Sequence, residues 1–250
     1  MTQFNDRVVL VTGGGAGIGL SAASKFSDKG ARVVITGRRQ GALEQAVRTA
    51  SGIDYIVADA GNTSDASRTI EEVMRRYGRL DVLVNNAGAG AILPLSQASF
   101  VQVNEIFSVN VIGPSLLATA ALPHLKQSGG NIVNVSSTFG HKAAEALSHY
   151  AASKAALEHM TRCWALELAR DGVRVNAVAA GPTESDFLSE RMKLSAEQIE
   201  SVKASERARI PLGRRGLPED VAGWIVALAS PDAAWITGQV FTVDGGLSTT

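Results

Sequence analysis

The order of apolar runs predicts a doubly wound α/β fold, a single Rossmann-type domain over residues 1–250 with a mostly parallel sheet. Three features predict it. Short β-branched runs alternate with longer amphipathic ones from end to end, as strand–helix–strand units require. The first strand run leads straight into a glycine-rich turn and then a helical pattern. And 250 residues, 45% of them hydrophobic, suffice for one full core. Lysine plus arginine equals aspartate plus glutamate at 24 each, so neither nucleic acid nor another polyanion is implied as a partner.

The elements follow in order. A strand is expected over Arg7–Thr12, then the turn Gly13-Gly14-Gly15-Ala16-Gly17-Ile18-Gly19, then a helix over Leu20–Asp28. Such a turn aims backbone N–H groups and a positive helix end at a phosphate. Its spacing departs from G-x-G-x-x-G, and no Gly-Lys-Ser/Thr follows, so a nucleoside-triphosphate loop is not expected. The second strand, Arg32–Gly37, ends on Arg38-Arg39 with no acid where an NAD-binding unit holds its ribose 2′-hydroxyl. Two guanidiniums suit a 2′-phosphate, which predicts NADP(H) over NAD(H), unless a carboxylate is supplied from elsewhere.

Strand Ile53–Ala58, ending at Asp59, helix Ser64–Tyr77 and strand Leu80–Asn85 continue the pattern. Asn85-Asn86-Ala87-Gly88 then sits at a strand's C-terminal end, where open α/β sheets bind ligands. A long helix around Gln97–Lys126 carries Asn110, a poor interior helix residue that invites a special reason, with Asn104 as a rival for it. Beyond it come strands at Arg174–Val178 and Gln239–Val243, a polar helix-rich insertion at Glu184–Arg209, and a helix near Pro218–Ala229. The N-terminal residues show no basic segment followed by an apolar one, so no secretory leader is expected. The longest apolar stretch, near Val111–Pro123, is interrupted by Gly and Pro and reads as too short to span a membrane. Cys163, the one cysteine, excludes an internal disulfide and reads as helix filler; a reducing cytoplasm is the expected home.

The run Asn131–Ser137 reads as a buried strand ending on two hydroxyls, and a loop then leads to a helix carrying Tyr150 and Lys154. Four residues apart, phenol and ammonium share one helix face. At roughly 5 Å and an effective dielectric of about 20 their attraction is about 3 kcal/mol. That lowers a phenol by about two pKa units, into the range of a proton donor and acceptor at neutral pH. Spacing alone leaves open an ordinary surface lysine beside a half-buried tyrosine.

Thr12-Gly13-x-x-x-Gly17-x-Gly19, Asn85-Asn86-Ala87-Gly88, Ser137 and Tyr150-x-x-x-Lys154 stand in the order and separation of one family. Over essentially Arg7–Leu247 the chain resembles the short-chain dehydrogenases/reductases. The resemblance implies a seven-stranded parallel sheet of order 3-2-1-4-5-6-7. It implies Tyr150 as catalytic acid/base, Lys154 as the residue that tunes it and binds the nicotinamide ribose, and Ser137 as the hydroxyl that orients the carbonyl. Asn110 then anchors a proton-relay water and Asp59 contacts adenine. Gly13, Gly15, Ala16, Gly17, Ile18, Gly19, Arg38, Arg39, Asn86, Ala87, Gly88, Gly181, Thr183 and Ser185 complete the expected cofactor site. Ala180-Gly181-Pro182 departs from the family's Pro-Gly at this turn, which leaves the turn less pre-set in φ.

The implied reaction is hydride exchange between NADP(H) and a small-molecule carbonyl or secondary alcohol. A 3-oxoacyl-carrier-protein reductase and a broad ketone or sugar reductase are not separable on sequence. A cofactor-binding sensor without catalysis is less favoured, because Ser137, Tyr150 and Lys154 are all present; the short tail after Lys154 disfavours an extended epimerase or dehydratase. No metal site is expected, since the four histidines are not spaced as ligands, though His141 could face substrate. Residues 184–209 read as a lid whose Phe187, Leu188 and Met192 meet Ala91, Ile92, Leu93 and Phe139. Apolar residues around the helices of Asn110 (Leu116, Leu117, Leu122) and Tyr150 (Leu157, Met160, Trp164, Leu168) predict a dimer. The family resemblance extends this to a homotetramer.

Overall fold

A computed structural model describes residues 3–250. The strands form because their sequences are β-branched and buried on both faces, as in Val8–Thr12 (β1), where every residue is buried. Six more follow: Arg32–Gly37 (β2), Ile53–Val57 (β3), Val82–Asn85 (β4), Asn131–Ser137 (β5), Arg174–Ala180 (β6) and Val240–Val243 (β7). They make one parallel sheet of order β3-β2-β1-β4-β5-β6-β7, as the family resemblance implied. The order reverses between β1 and β4, which opens a crevice at the carboxyl ends of those strands.

Helices cover both faces. Gly17–Asp28 (α1), Gln40–Thr49 (α2) and Pro218–Ala229 (α9) bury Phe26, Leu43 and Ile225 in one core layer with Val9, Val11 and Ile35. Thr63–Tyr77 (α3), Gly113–Ser128 (α5) and Ser148–Leu168 (α6) bury Ile70, Leu125 and Leu168 in the other, with Leu10, Leu83 and Ile132. Phe100–Phe107 (α4), Phe187–Glu190 (α7) and Ala196–Arg209 (α8) complete the set.

The expected single helix over Gln97–Lys126 is three pieces. Between α4 and α5 the chain makes a π-helical turn over Ser108–Ile112, with Asn110 fully buried at its centre. The widened turn lets the Asn110 amide leave the helix surface and bond elsewhere: Oδ1 accepts from Ala89 N, and Nδ2 donates to Ala89 O and Ser153 Oγ, each at 2.9 Å. Gly113 closes the bulge; a Cβ there would sit 2.0 Å from Ala60 O.

Three further expectations are corrected. Phe100–Ser128, the run containing the stretch read as too short, is long and apolar enough to cross a membrane by length and composition. Here α5 packs on α3 and β4, and α4 on α6, which buries its inner face in protein. Leu117, Leu157 and Leu168 are core residues; the large apolar side chains these helices leave exposed are Phe100, Val101, Ile112 and Leu166. Cys163 is exposed on α6 rather than filling a core.

Replacing Asn110 with Ala strands the Ala89 N–H, the Ala89 carbonyl and the Ser153 hydroxyl without that partner. At about 1–3 kcal/mol for each buried group left unsatisfied, the expected loss is at least about 2 kcal/mol. Urea denaturation checks it: a midpoint unchanged from wild type would show that the π turn does not depend on this amide.

Candidate active site

The crevice at the strand reversal is a cavity of about 480 Å³. Its floor is a backbone clamp between β1 and β4. Thr12 Oγ1 accepts from both Asn86 N and Ala87 N at 3.0 Å, and Asn86 Nδ2 donates to Thr12 O at 2.9 Å and Gly13 O at 3.2 Å. The turn above it requires glycine at several points, and two of them show why. Gly13 has φ +66°, and a Cβ there would lie 3.0 Å from Ala87 Cα; a Cβ on Gly19 would lie 2.4 Å from Asn86 Nδ2. Helix α1 then begins without a side-chain cap, so its first N–H groups face the cleft uncapped. This bare cradle fits a pyrophosphate.

One end of the cavity is charged. Arg38 and Arg39 line it, and both have acidic neighbours: Arg38 Nη1 lies 3.8 Å from Asp59 Oδ2, and Arg39 Nη1 lies 2.8 Å from Glu190 Oε1. The carboxylate that the sequence could not exclude is therefore present, and it comes from α7. Asp59 lies outside the main cavity, beside a smaller one, and its Oδ1 accepts from Gly61 N at 2.9 Å.

The other end is buried. Strand β5 and helix α6 deliver Ser137, Tyr150 and Lys154 together, all buried and all lining the cavity. Burial pushes the Tyr150 phenol above its usual range, and a hydrogen bond with Ser137 pulls it partly back. Burial also lowers the Lys154 ammonium, to about 8, against the opposing pull of Glu158. The expected depression of Tyr150 by Lys154 is not what this structure shows. Lys154 Nζ donates instead to Val135 O at 2.9 Å and sits 6.0 Å from the phenol ring centre, so desolvation outweighs the attraction. Phe187 approaches from α7, its ring centre 6.2 Å from that of Tyr150.

Between the two ends runs the loop after β6. Gly181 passes so close to the C-terminal segment that a Cβ would meet Asp244 Cβ at 2.5 Å. The Pro missing before it is made good by backbone pairing: Gly216 N donates to Pro182 O, Glu184 N to Gly216 O, and buried Arg215 Nη2 to Thr183 O at 2.6 Å. Arg215 also pairs with Glu184 and with Glu206 of α8, which fixes the far half of residues 184–209 to the body.

Comparison with known proteins decides the family. Residues 13–248 match the family model described as enoyl-(acyl carrier protein) reductase. A 3-oxoacyl-[acyl-carrier-protein] reductase of Thermotoga maritima is 37% identical over 98% of this chain and 99% of its own length. A Caenorhabditis elegans short-chain dehydrogenase/reductase of unknown function, solved with cofactor, superposes with a TM-score of 0.91 at 32% identity, covering 99% of this chain and 97% of that one. The 3-ketoacyl-(acyl-carrier-protein) reductase of Brucella melitensis, complexed with NADH, gives 0.90 at 31%, covering 98% and 99%.

The chain belongs to the short-chain dehydrogenase/reductase family. It is accordingly an oxidoreductase of a family that uses a nicotinamide cofactor. In this dehydrogenase/reductase the cavity takes in every expected site residue except Gly19, Asp59 and Asn110. Gly19 serves close helix–strand packing, Asp59 the next turn, and Asn110 the Ala89 backbone. Phe139, Phe187, Leu188 and Met192 line the cleft as expected; Ala91, Ile92 and Leu93 do not, Leu93 being tied into the core by its N–H to Ala146 O. His141 does not line the cavity either, and pairs with Glu158 Oε1 at 3.3 Å and Thr242 Oγ1 at 3.3 Å. Among the described residues no group of acidic, His or Cys side chains could hold a metal.

Sequence reasoning missed Glu158, buried one turn beyond Lys154 and held by Ser136 Oγ at 2.8 Å. The i, i+4 spacing from Lys154 was the available signal. Glu190 and Arg191 were missed as well.

Burying Lys154 costs stability. Its proton is held to about 8 in the fold against an ordinary 10.5, a net cost of roughly 3 kcal/mol at neutral pH. The contribution to stability is complete above the unfolded value and is lost as pH falls through the folded one. The ligand-free protein therefore gains stability between about 8 and 10.5. Lys154→Met removes the titrating group and is expected to flatten that rise, at the cost of leaving Val135 O and Glu158 without their partner. A variant whose stability still climbs in urea melts between pH 7 and 9.5 as wild type does would refute this account.

Proposed function

We propose that this chain reduces a carbonyl of a predominantly apolar substrate with NADPH, through Ser137, Tyr150 and Lys154. The observation that carries the proposal is their joint burial at one end of a cleft whose other end holds Arg38 and Arg39. The cofactor supplies the hydride. The chain supplies donors where negative charge develops: Tyr150 O–H and Ser137 O–H converge on the carbonyl oxygen, and Tyr150 passes it a proton. Lys154, charged below about 8, stabilises the resulting phenolate electrostatically. A neutral phenol beside a charged lysine at pH 7 is the form that can donate the proton a reduction needs. Asn110 ties the Ala89 backbone to Ser153 on α6, and so holds the helix that carries Tyr150.

Phe139, Phe187, Leu188 and Met192 around the reacting end favour apolar or aromatic ketones. A 3-oxoacyl-carrier-protein substrate is the second reading, supported by what the Thermotoga and Brucella relatives are named for. The NADH in the Brucella structure makes cofactor choice a point to measure.

Tyr150→Phe is expected to lower kcat at least tenfold, about 1.4 kcal/mol or more, with cofactor affinity nearly unchanged. In wild type, reduction should hold steady through neutral pH and fall as pH rises past about 8, because Lys154 then loses its charge. A Tyr150→Phe enzyme retaining most of its kcat, followed at 340 nm on the best ketone, would remove Tyr150 from the mechanism.

We further propose self-association. Phe100 and Leu166 are 82% and 84% exposed on α4 and α6, which pack on each other, and Trp235 is 99% exposed near the last strand; a second copy would cover these side chains. Light scattering is expected to show a dimer or tetramer at micromolar concentration; a monomer would reject this.

A further inference from the structure

The charged end of the cleft holds more than Arg38 and Arg39. Arg191, which caps the short helix α7, is half-buried and lines the same cavity. Burial, together with the nearby Arg38 and Arg39, pulls its guanidinium below the usual arginine range, while Glu190 and Asp59 oppose this. Five charges thus interact at one place: three guanidiniums and two carboxylates, a net +1. One of the carboxylates, Glu190, lies 2.8 Å from Arg39. Both Glu190 and Arg191 come from the segment above the cleft, whose Phe187 touches the opposite, reacting end.

A ribose hydroxyl brings no charge to this group, whereas a phosphomonoester brings about −1.5 to −2. A phosphate on Arg39 would place that charge beside the Glu190 carboxylate, which like-charge repulsion then drives off. The phosphate would also gain Arg191, a third planar donor suited to its oxygens.

We infer that Glu190 and Arg191 set cofactor choice: Glu190 stands on Arg39 in place of a 2′-phosphate and competes with it, and Arg191 is a third guanidinium that holds it. The inference rests on the NADP(H) reading above and adds two residues from outside the β2 end to it.

Calorimetric titration of the full chain with adenosine 2′,5′-bisphosphate and with 5′-AMP tests it. These ligands differ only in the 2′-phosphate, and neither reaches the reacting end. Wild type should prefer the bisphosphate, and Arg39→Gln should lose that preference. Arg191→Gln should weaken the bisphosphate about tenfold, on the scale of one charge-assisted contact, and leave 5′-AMP within about twofold. Arg191→Lys should restore part of the loss. Glu190→Gln should tighten the bisphosphate by about three- to tenfold without moving 5′-AMP. If Arg39→Gln removes the preference while Glu190→Gln and Arg191→Gln behave as wild type, the inference fails and the cofactor reading stands. Equal weakening of both ligands by Arg191→Gln would mark a merely structural residue and overturn its assignment. A wild type that binds both ligands equally would defeat the cofactor reading and this inference together.

Discussion

A single ammonium buried at the end of a strand is the constraint on which the site depends. Lys154 cannot be hydrated where it stands, so the fold gives it a carbonyl, Val135 O, and a carboxylate one helical turn away, Glu158. Glu158 is itself buried and has to be held, by Ser136 Oγ and by His141. The residues that satisfy and support this charge are near neighbours in sequence of those proposed to act: Val135 and Ser136 precede Ser137, and Glu158 stands one helical turn beyond Lys154. One strand and one helix thus fix the reacting groups and their support together. Rigid elements hold geometry better than loops do, and the π turn at Asn110 adds a third tie through Ser153.

Those parts were legible in the sequence for the same reason. A strand ending on hydroxyls and a Tyr/Lys pair one helical turn apart are local patterns, and a parallel sheet leaves a near-continuous apolar run for every central strand. What could not be read depends on contacts made across the chain. Nothing in the spacing around Asn110 signals a π turn, because one added residue per turn leaves no period of its own. Glu190 meets Arg39 only because α7 folds back over β2, so the pair looked free in sequence and is not. The direction of the Tyr150 shift has a different cause. An effective dielectric near 20 describes the attraction between two charges and omits the cost of bringing either one into a dry site. With both groups buried, that cost decides the sign for each.

The two ends of the cleft therefore run on different physics. At the reacting end, polar groups are buried and paired, so removing one leaves its partners stranded at a cost of whole kilocalories, and substitutions there act nearly all-or-none. At the arginine end, Arg39 and Glu190 remain about half exposed, at 52% and 42% of their side-chain surface, and Arg38 is 3.8 Å from its partner. Exposed pairs of this kind contribute about 0–1 kcal/mol and are screened by salt. A guanidinium or carboxylate gained or lost there moves affinity by a modest factor and leaves the fold untouched. On the proposed function, choice of cofactor would then shift by single surface substitutions, while the chemistry stays bound to the interior that supports it.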